Sequence, residues 1–262
     1  MEAKRFSDLL NDSQFQFYPL KGLSFLWDSN FTSCRDIKDL DFLVKESDLA
    51  SLVSDLAEQE YRSEVLARSF AGKLQLSIQH ALELTAANSG LSVDLHWKLA
   101  ESFIADAGLT KRYWQLGASS EMLLVNTTIQ AYKNNWSVLQ DYLDLKFILE
   151  EKDPDLVKFR EIVEDYSFMK VAAYTFCQYD LIFGTSIFKD NFPNNSVTFN
   201  VSHGDSYYEL RKYLFFNATI YRKIRAVFIR FILPYERDLA SEDGSVIDVL
   251  RVTFKKLLRK FK

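Results

Sequence analysis

Near residue 100 the hydrophobic period of this chain changes, and that change constrains the fold more than any single motif does. Before it, short apolar runs alternate with polar residues and stop at turn formers: "FQFYPLKG" at 15–22, "LDFLV" at 40–44, "SIQHALELTA" at 77–86 and "LSVDLHWKL" at 91–99. A period of two marks strands. After it, glycine thins out and apolar residues recur three and four apart over candidate helices at 119–133, 136–151, 154–181, 207–232 and 245–261. The expected architecture is therefore α+β, with a strand-containing core over 1–108 followed by a mostly helical domain over 109–262.

Within the first half, residues 4–11 look like a short helix, and Pro19 restricts the strand at 15–22 to an edge or a strand end. Gly22 opens a strand-to-helix turn into "LSFLWDS". Leu49, Leu52, Val53 and Leu56 predict a helix over about 48–58 with Ser47 as its N-cap. The turn-rich "ANSG" joins the last two apolar runs as a β-hairpin. In the second half, "FKDNFPNNSVTFNVSHGDS" reads as a long loop.

At 262 residues with 48% hydrophobic side chains, the chain can bury a sizeable core. Its 32 Lys plus Arg stand against 36 Asp plus Glu, so a net charge of -4 supplies no global drive toward nucleic acid or anionic membrane. The cysteines, Cys34 and Cys177, lack metal-ligand spacing, and the opening "MEAKRFSDLL" is charged and amphipathic. Both features fit a cytoplasmic protein with reduced thiols.

The chemistry-bearing stretch is "RDIKDLDFLV" at 35–44. On an extended chain Asp39 and Asp41 point the same way, and two carboxylates in one small volume repel unless a positive charge lies between them. With 21 Asp in the chain, chance alone supplies about two Asp-x-Asp pairs. Context separates the two that occur. Asp153 and Asp155 bracket a proline at a helix start, where acidic residues suit the helix dipole, and read as structural. Asp39 and Asp41 instead open an apolar strand, and a third carboxylate, Asp94, shares a strand face with His96, opposite Val93, Leu95 and Trp97. If the two strands are neighbours, three carboxylates converge as ligands for one or two Mg²⁺ ions, with Mn²⁺ as a substitute.

These residues resemble a known family. "PLKGLSFLW", "RDIKDLDFLV" and "VDLHWKL" match, in order, the "LKG…R…DxDLLV…DLHW" pattern of the uncharacterised bacterial nucleotidyltransferase family within the DNA polymerase β-like nucleotidyltransferase superfamily. A weaker likeness continues through "NNWSVLQDYLDLKFIL" and "FILPYERD". The resemblance implies a polymerase β-like nucleotidyltransferase core that moves a nucleoside monophosphate from an NTP such as ATP to an acceptor hydroxyl. It implies Asp39 and Asp41 as metal ligands, Asp94 as the third carboxylate, and Gly22 with Ser24 around the triphosphate. Where relatives have Gly-Gly or Gly-Ser, this chain has Gly22-Leu23-Ser24, with Lys21 adding a point positive charge. Family context favours a small molecule or sugar as acceptor over tRNA. Rival readings are a toxin-like transferase acting on tRNA and a non-catalytic nucleotide- or partner-binding protein on the same fold.

Other residues take supporting roles. His96 and His80 read as groups hydrogen-bonded around a ligand carboxylate. Arg35 either relieves the repulsion at Asp39 or binds phosphate. Asp144 lies on a helix with core spacing and reads as structural. The basic tail "RVTFKKLLRKFK" reads as a solvated helix face, with RNA or a membrane surface as the alternative.

Overall fold

The computed structural model describes residues 6, 8–10, 15–26, 39–63, 80–99, 107–166, 168–192, 245 and 249–255. The chain divides into two compact units, residues 1–101 with 220–262 and residues 102–219.

Among the described residues, the first unit carries a mixed sheet of five strands. Its strands are β1 (Phe17–Pro19), β2 (Asp39–Val44), β3 (Tyr61–Arg62), β4 (Ala81–Ala86) and β5 (Ser92–His96), in the order β1-β2-β5-β4-β3. Pro19 ends β1 on the sheet edge, where a missing N–H breaks no ladder. The β4–β5 hairpin forms as the alternation requires, and Gly90 takes the left-handed φ of 69° that its turn needs. β2 pairs with β5 in parallel, Asp41 against Asp94, so both strands occupy the centre of the sheet.

One sheet face is apolar. Leu40, Phe42 and Val44 of β2, Val93 and Leu95 of β5, and Leu82 and Leu84 of β4 bury against Phe6, Leu10 and the Leu49, Leu52 and Leu56 stripe of α2 (Leu49–Glu58), preceded in the chain by α1 (Lys21–Leu26). Each such side chain withdrawn from water contributes about 1.5–3 kcal/mol before entropy is counted. With that face committed, the alternate residues must line the other, and Asp39, Asp41, Ser92, Asp94 and His96 do so. Asp48, not Ser47, holds the N-cap position of α2; the Ser47 hydroxyl donates to the Asp48 carboxylate at 2.7 Å instead of capping the backbone.

The described residues of the second unit form helices: α3 (Ala107–Leu116), α4 (Ser120–Lys133), α5 (Leu139–Glu151), α6 (Leu156–Asp165), α7 (Met169–Phe183) and α8 (Ile187–Asn191). A mixed sheet followed by helices is the α+β arrangement expected from the change of period. Two expectations need correction. The helix at 154–181 is two helices, because the Phe168 N–H bonds back to the Val163 carbonyl at 2.7 Å and turns the buried Phe168 ring into the core. A helix was also missed at 107–116: Leu109 and Tyr113, four apart, bury one face, Gly108 in the first turn obscures the pattern, and Gly117 at φ 65° ends it. α4 is buried almost all round, with Thr128 and Ala131 fully enclosed. Asp155 caps α6, accepting from the N–H groups of Val157 and Lys158 at 2.9 and 3.1 Å, which gives this member of the second Asp-x-Asp pair a structural role. The candidate helix at 207–232 and most of the long loop lie outside the described residues, while 249–255 is helical within the expected 245–261 segment.

Candidate functional site

The polar face of the central strands gathers the chemistry. Because β2 and β5 run parallel with Asp41 opposite Asp94, the two carboxylates project from one face in adjacent positions. His96, two residues beyond Asp94, completes a group in which one ligand atom from each of Asp41, Asp94 and His96 lies within 4.8 Å of the others. Asp39 stands on the same face one step nearer the strand start; it is exposed and outside that group.

Asp41 is buried, and two donors meet on its Oδ1: the Lys21 ammonium and His96 Nε2, the latter at 2.8 Å. Burial alone would raise its pKa, but the His96 hydrogen bond and the Lys21 charge prevail, and the carboxyl sits below its ordinary range. An ionised carboxylate can only accept, so His96 Nε2 carries a proton and donates it. Among the described residues, no hydrogen bond reaches Asp41 Oδ2.

Asp94 is the opposite case. Half-buried, it makes no hydrogen bond or ion pair among the described residues. Burial, then the negative charge of Asp41, with Glu83 and Asp39 adding and Lys21 opposing, pushes its carboxyl up to about 6. Glu83, in register with Asp94 on β4, was not singled out from the sequence, although the alternation in "ALELTA" places it there; its carboxylate accepts from Ser92 at 2.8 Å.

Lys21 reaches Asp41 through a local chain of constraints. The Leu20 N–H bonds to the Asp41 carbonyl at 2.8 Å, Lys21 adopts a left-handed φ of 50°, and the Ser24 hydroxyl donates to the Lys21 carbonyl at 2.5 Å. Gly22 is buried in the first turn of α1. The His80 carbonyl accepts from the Trp97 N–H at 3.0 Å, and its ring centroid lies 5.9 Å from that of His96. Arg35 falls outside the described residues.

This donor set suits a divalent cation: two carboxylates from neighbouring strands, one of them half-buried with no ion pair of its own among the described residues, and an imidazole beside them. A sequence profile described as an uncharacterised nucleotidyltransferase matches residues 1–184. The chain belongs to that nucleotidyltransferase family. No curated protein and no solved structure matches it significantly. Membership implies transferase chemistry on a nucleotide substrate, and it covers the whole polar sheet face together with helices α3 to α7 and the first residue after them. No helix among the described residues is long and apolar enough to cross a membrane.

Proposed function

We propose that this nucleotidyltransferase is a Mg²⁺-dependent enzyme that transfers a nucleoside monophosphate from an NTP to the hydroxyl of a small molecule or sugar, releasing pyrophosphate. The observation that carries the reading is the pairing of Asp41 with Asp94 in register on parallel strands, with the Asp94 carboxyl raised to about 6 by burial and by the Asp41 charge beside it. Asp41 and Asp94, with Asp39 at the rim, would hold one or two metal ions, for which Mn²⁺ can substitute. Such an ion, when bound, neutralises triphosphate charge and lowers the pKa of a bound hydroxyl.

The chain's own groups supply the rest. His96 fixes the Asp41 carboxylate by its Nε2 hydrogen bond, and His80 packs beside that ring. Lys21, with Gly22, Ser24 and Arg35, receives the phosphates; the Ser24 hydroxyl must turn from the Lys21 carbonyl to donate to them. Asp94 accepts the proton of the acceptor hydroxyl as its oxygen bonds to the α-phosphorus. The bond from that phosphorus to the β-phosphate oxygen then breaks, and pyrophosphate leaves with the electron pair. We assign catalysis to the strand-containing residues up to 108 and acceptor binding to the helical residues beyond them.

The test is a calorimetric titration of the protein with each NTP in Mg²⁺, beside an Asp41→Asn, Asp94→Asn double variant. Metal-dependent binding to wild type that disappears in the variant supports the assignment, and a pyrophosphate-release screen over acceptor classes follows. Folded wild type that binds no NTP with either Mg²⁺ or Mn²⁺ overturns it.

A further inference from the structure

Lys21 is held at Asp41 with more local constraint than a surface lysine receives. Its backbone occupies the left-handed region at φ 50°, which is strained for a non-glycine residue and persists only where surroundings enforce it. The surroundings are visible. The residue before it is bonded to the Asp41 backbone, the hydroxyl three residues later is bonded to its carbonyl, and its ammonium forms an ion pair with the Asp41 carboxylate. The Lys21 side chain is 21% exposed and that of Asp41 4% exposed, so water screens the pair less than it would a surface ion pair.

The ammonium thus holds the same carboxylate that a divalent ion would need. With Lys21 in place, an incoming cation meets the pair Asp41 and Asp94 with one of their two negative charges already balanced, and it must approach a fixed positive charge. We propose that Lys21 is the resident counter-ion of this site and an exchangeable one: a divalent cation displaces its ammonium from Asp41, and the triphosphate arriving with that cation gives the ammonium a new anion. The inference rests on the nucleotidyltransferase reading above and adds a regulatory consequence. The site resists bare metal and loads metal and triphosphate together, because only the triphosphate supplies a new anion for the ammonium that the cation displaces.

The consequence has opposite signs for two ligands, which a merely structural lysine would not produce. Removing the lysine charge should strengthen binding of the bare cation and weaken its coupling to triphosphate. Two unit charges about 4 Å apart near a protein surface interact by several kcal/mol at an effective dielectric of about 20, so even a strongly screened remnant changes cation affinity at least about tenfold.

The experiment is Mn²⁺ binding followed by electron paramagnetic resonance of the free ion, with Mn²⁺ alone and with a non-hydrolysable nucleoside triphosphate. Wild type, Lys21→Met, Lys21→Gly and Lys21→Arg are compared. Met keeps the length and the same backbone demand; Gly accepts the positive φ freely, so at least one neutral variant retains the fold. The neutral variants are expected to bind Mn²⁺ alone at least about tenfold more tightly than wild type. The triphosphate should strengthen Mn²⁺ binding less in them than in wild type, and Lys21→Arg should follow wild type in both respects. If wild type binds Mn²⁺ with triphosphate but the neutral variants bind bare Mn²⁺ no more tightly, the counter-ion role is overturned and the nucleotidyltransferase reading stands. If no form binds Mn²⁺ with or without triphosphate, both fall.

Discussion

Replacing Asp94 with asparagine should stabilise the metal-free protein at alkaline pH, although the same change should abolish metal loading. The shape of the side chain is kept, so no cavity opens, and only the charge is removed. The folded-state carboxyl stands at about 6 against an ordinary 3.8. A rise of that size corresponds to about 3 kcal/mol, which solvent screening of a half-exposed group reduces to about 1 kcal/mol. A carboxyl raised on folding favours the fold fully below the ordinary value and loses that contribution as pH climbs through the folded value. Wild type therefore carries a penalty at pH 8 that is absent at pH 4. Denaturant melts in a chelator should show Asp94→Asn more stable by about 1 kcal/mol at pH 8, or about 2–4 °C in midpoint for a chain of this size. The gain should vanish toward pH 4. Saturating Mg²⁺ should reverse the order, because only wild type gains the stabilisation of a ligand that binds the folded state. A variant equally destabilised at both pH values would refute the reasoning, since Asp94 would then be making a favourable bond rather than facing like charge.

Asp41 should behave with the opposite sign. Its lowered carboxyl contributes stability above the ordinary value that is lost as pH falls through the folded one, so wild type should lose stability below about pH 4 more steeply than Asp41→Asn in acid titrations followed by circular dichroism. His96→Ala removes the 2.8 Å bond to Asp41 and should cost about 1–3 kcal/mol in urea melts. Asp155→Ala should cost about 1 kcal/mol through loss of the α6 cap and leave calorimetric nucleotide affinity unchanged, which separates the two Asp-x-Asp pairs by assay. Phe42→Ala, which empties a fully buried site on the apolar sheet face, should cost about 3–5 kcal/mol.

Much of the first unit was legible because its signals are local. Alternation in "LDFLV", "ALELTA" and "SVDLH" dictated strand faces, and the hairpin turn followed from "ANSG". The second unit was less so. α4 is buried nearly all round and shows little periodic contrast, and a glycine masks the start of α3. The break between α6 and α7 carries no Pro or Gly; what marks it is the buried Phe168, whose N–H bonds to the Val163 carbonyl out of helical register.

The sequence by itself determined that Asp39 and Asp41 share a strand face and that Asp94 and His96 share another, since a period of two follows from backbone geometry alone. Only the tertiary structure decided that these faces adjoin, through a parallel β2–β5 register that sets Asp41 against Asp94. It also decided that Lys21 and His96 meet on one oxygen of Asp41 while Asp39 stays in solvent. Register and ion pairing depend on residues far apart in the chain, brought together by burial of the opposite apolar face, and no local pattern encodes which charged group gains a partner and which is left facing its like.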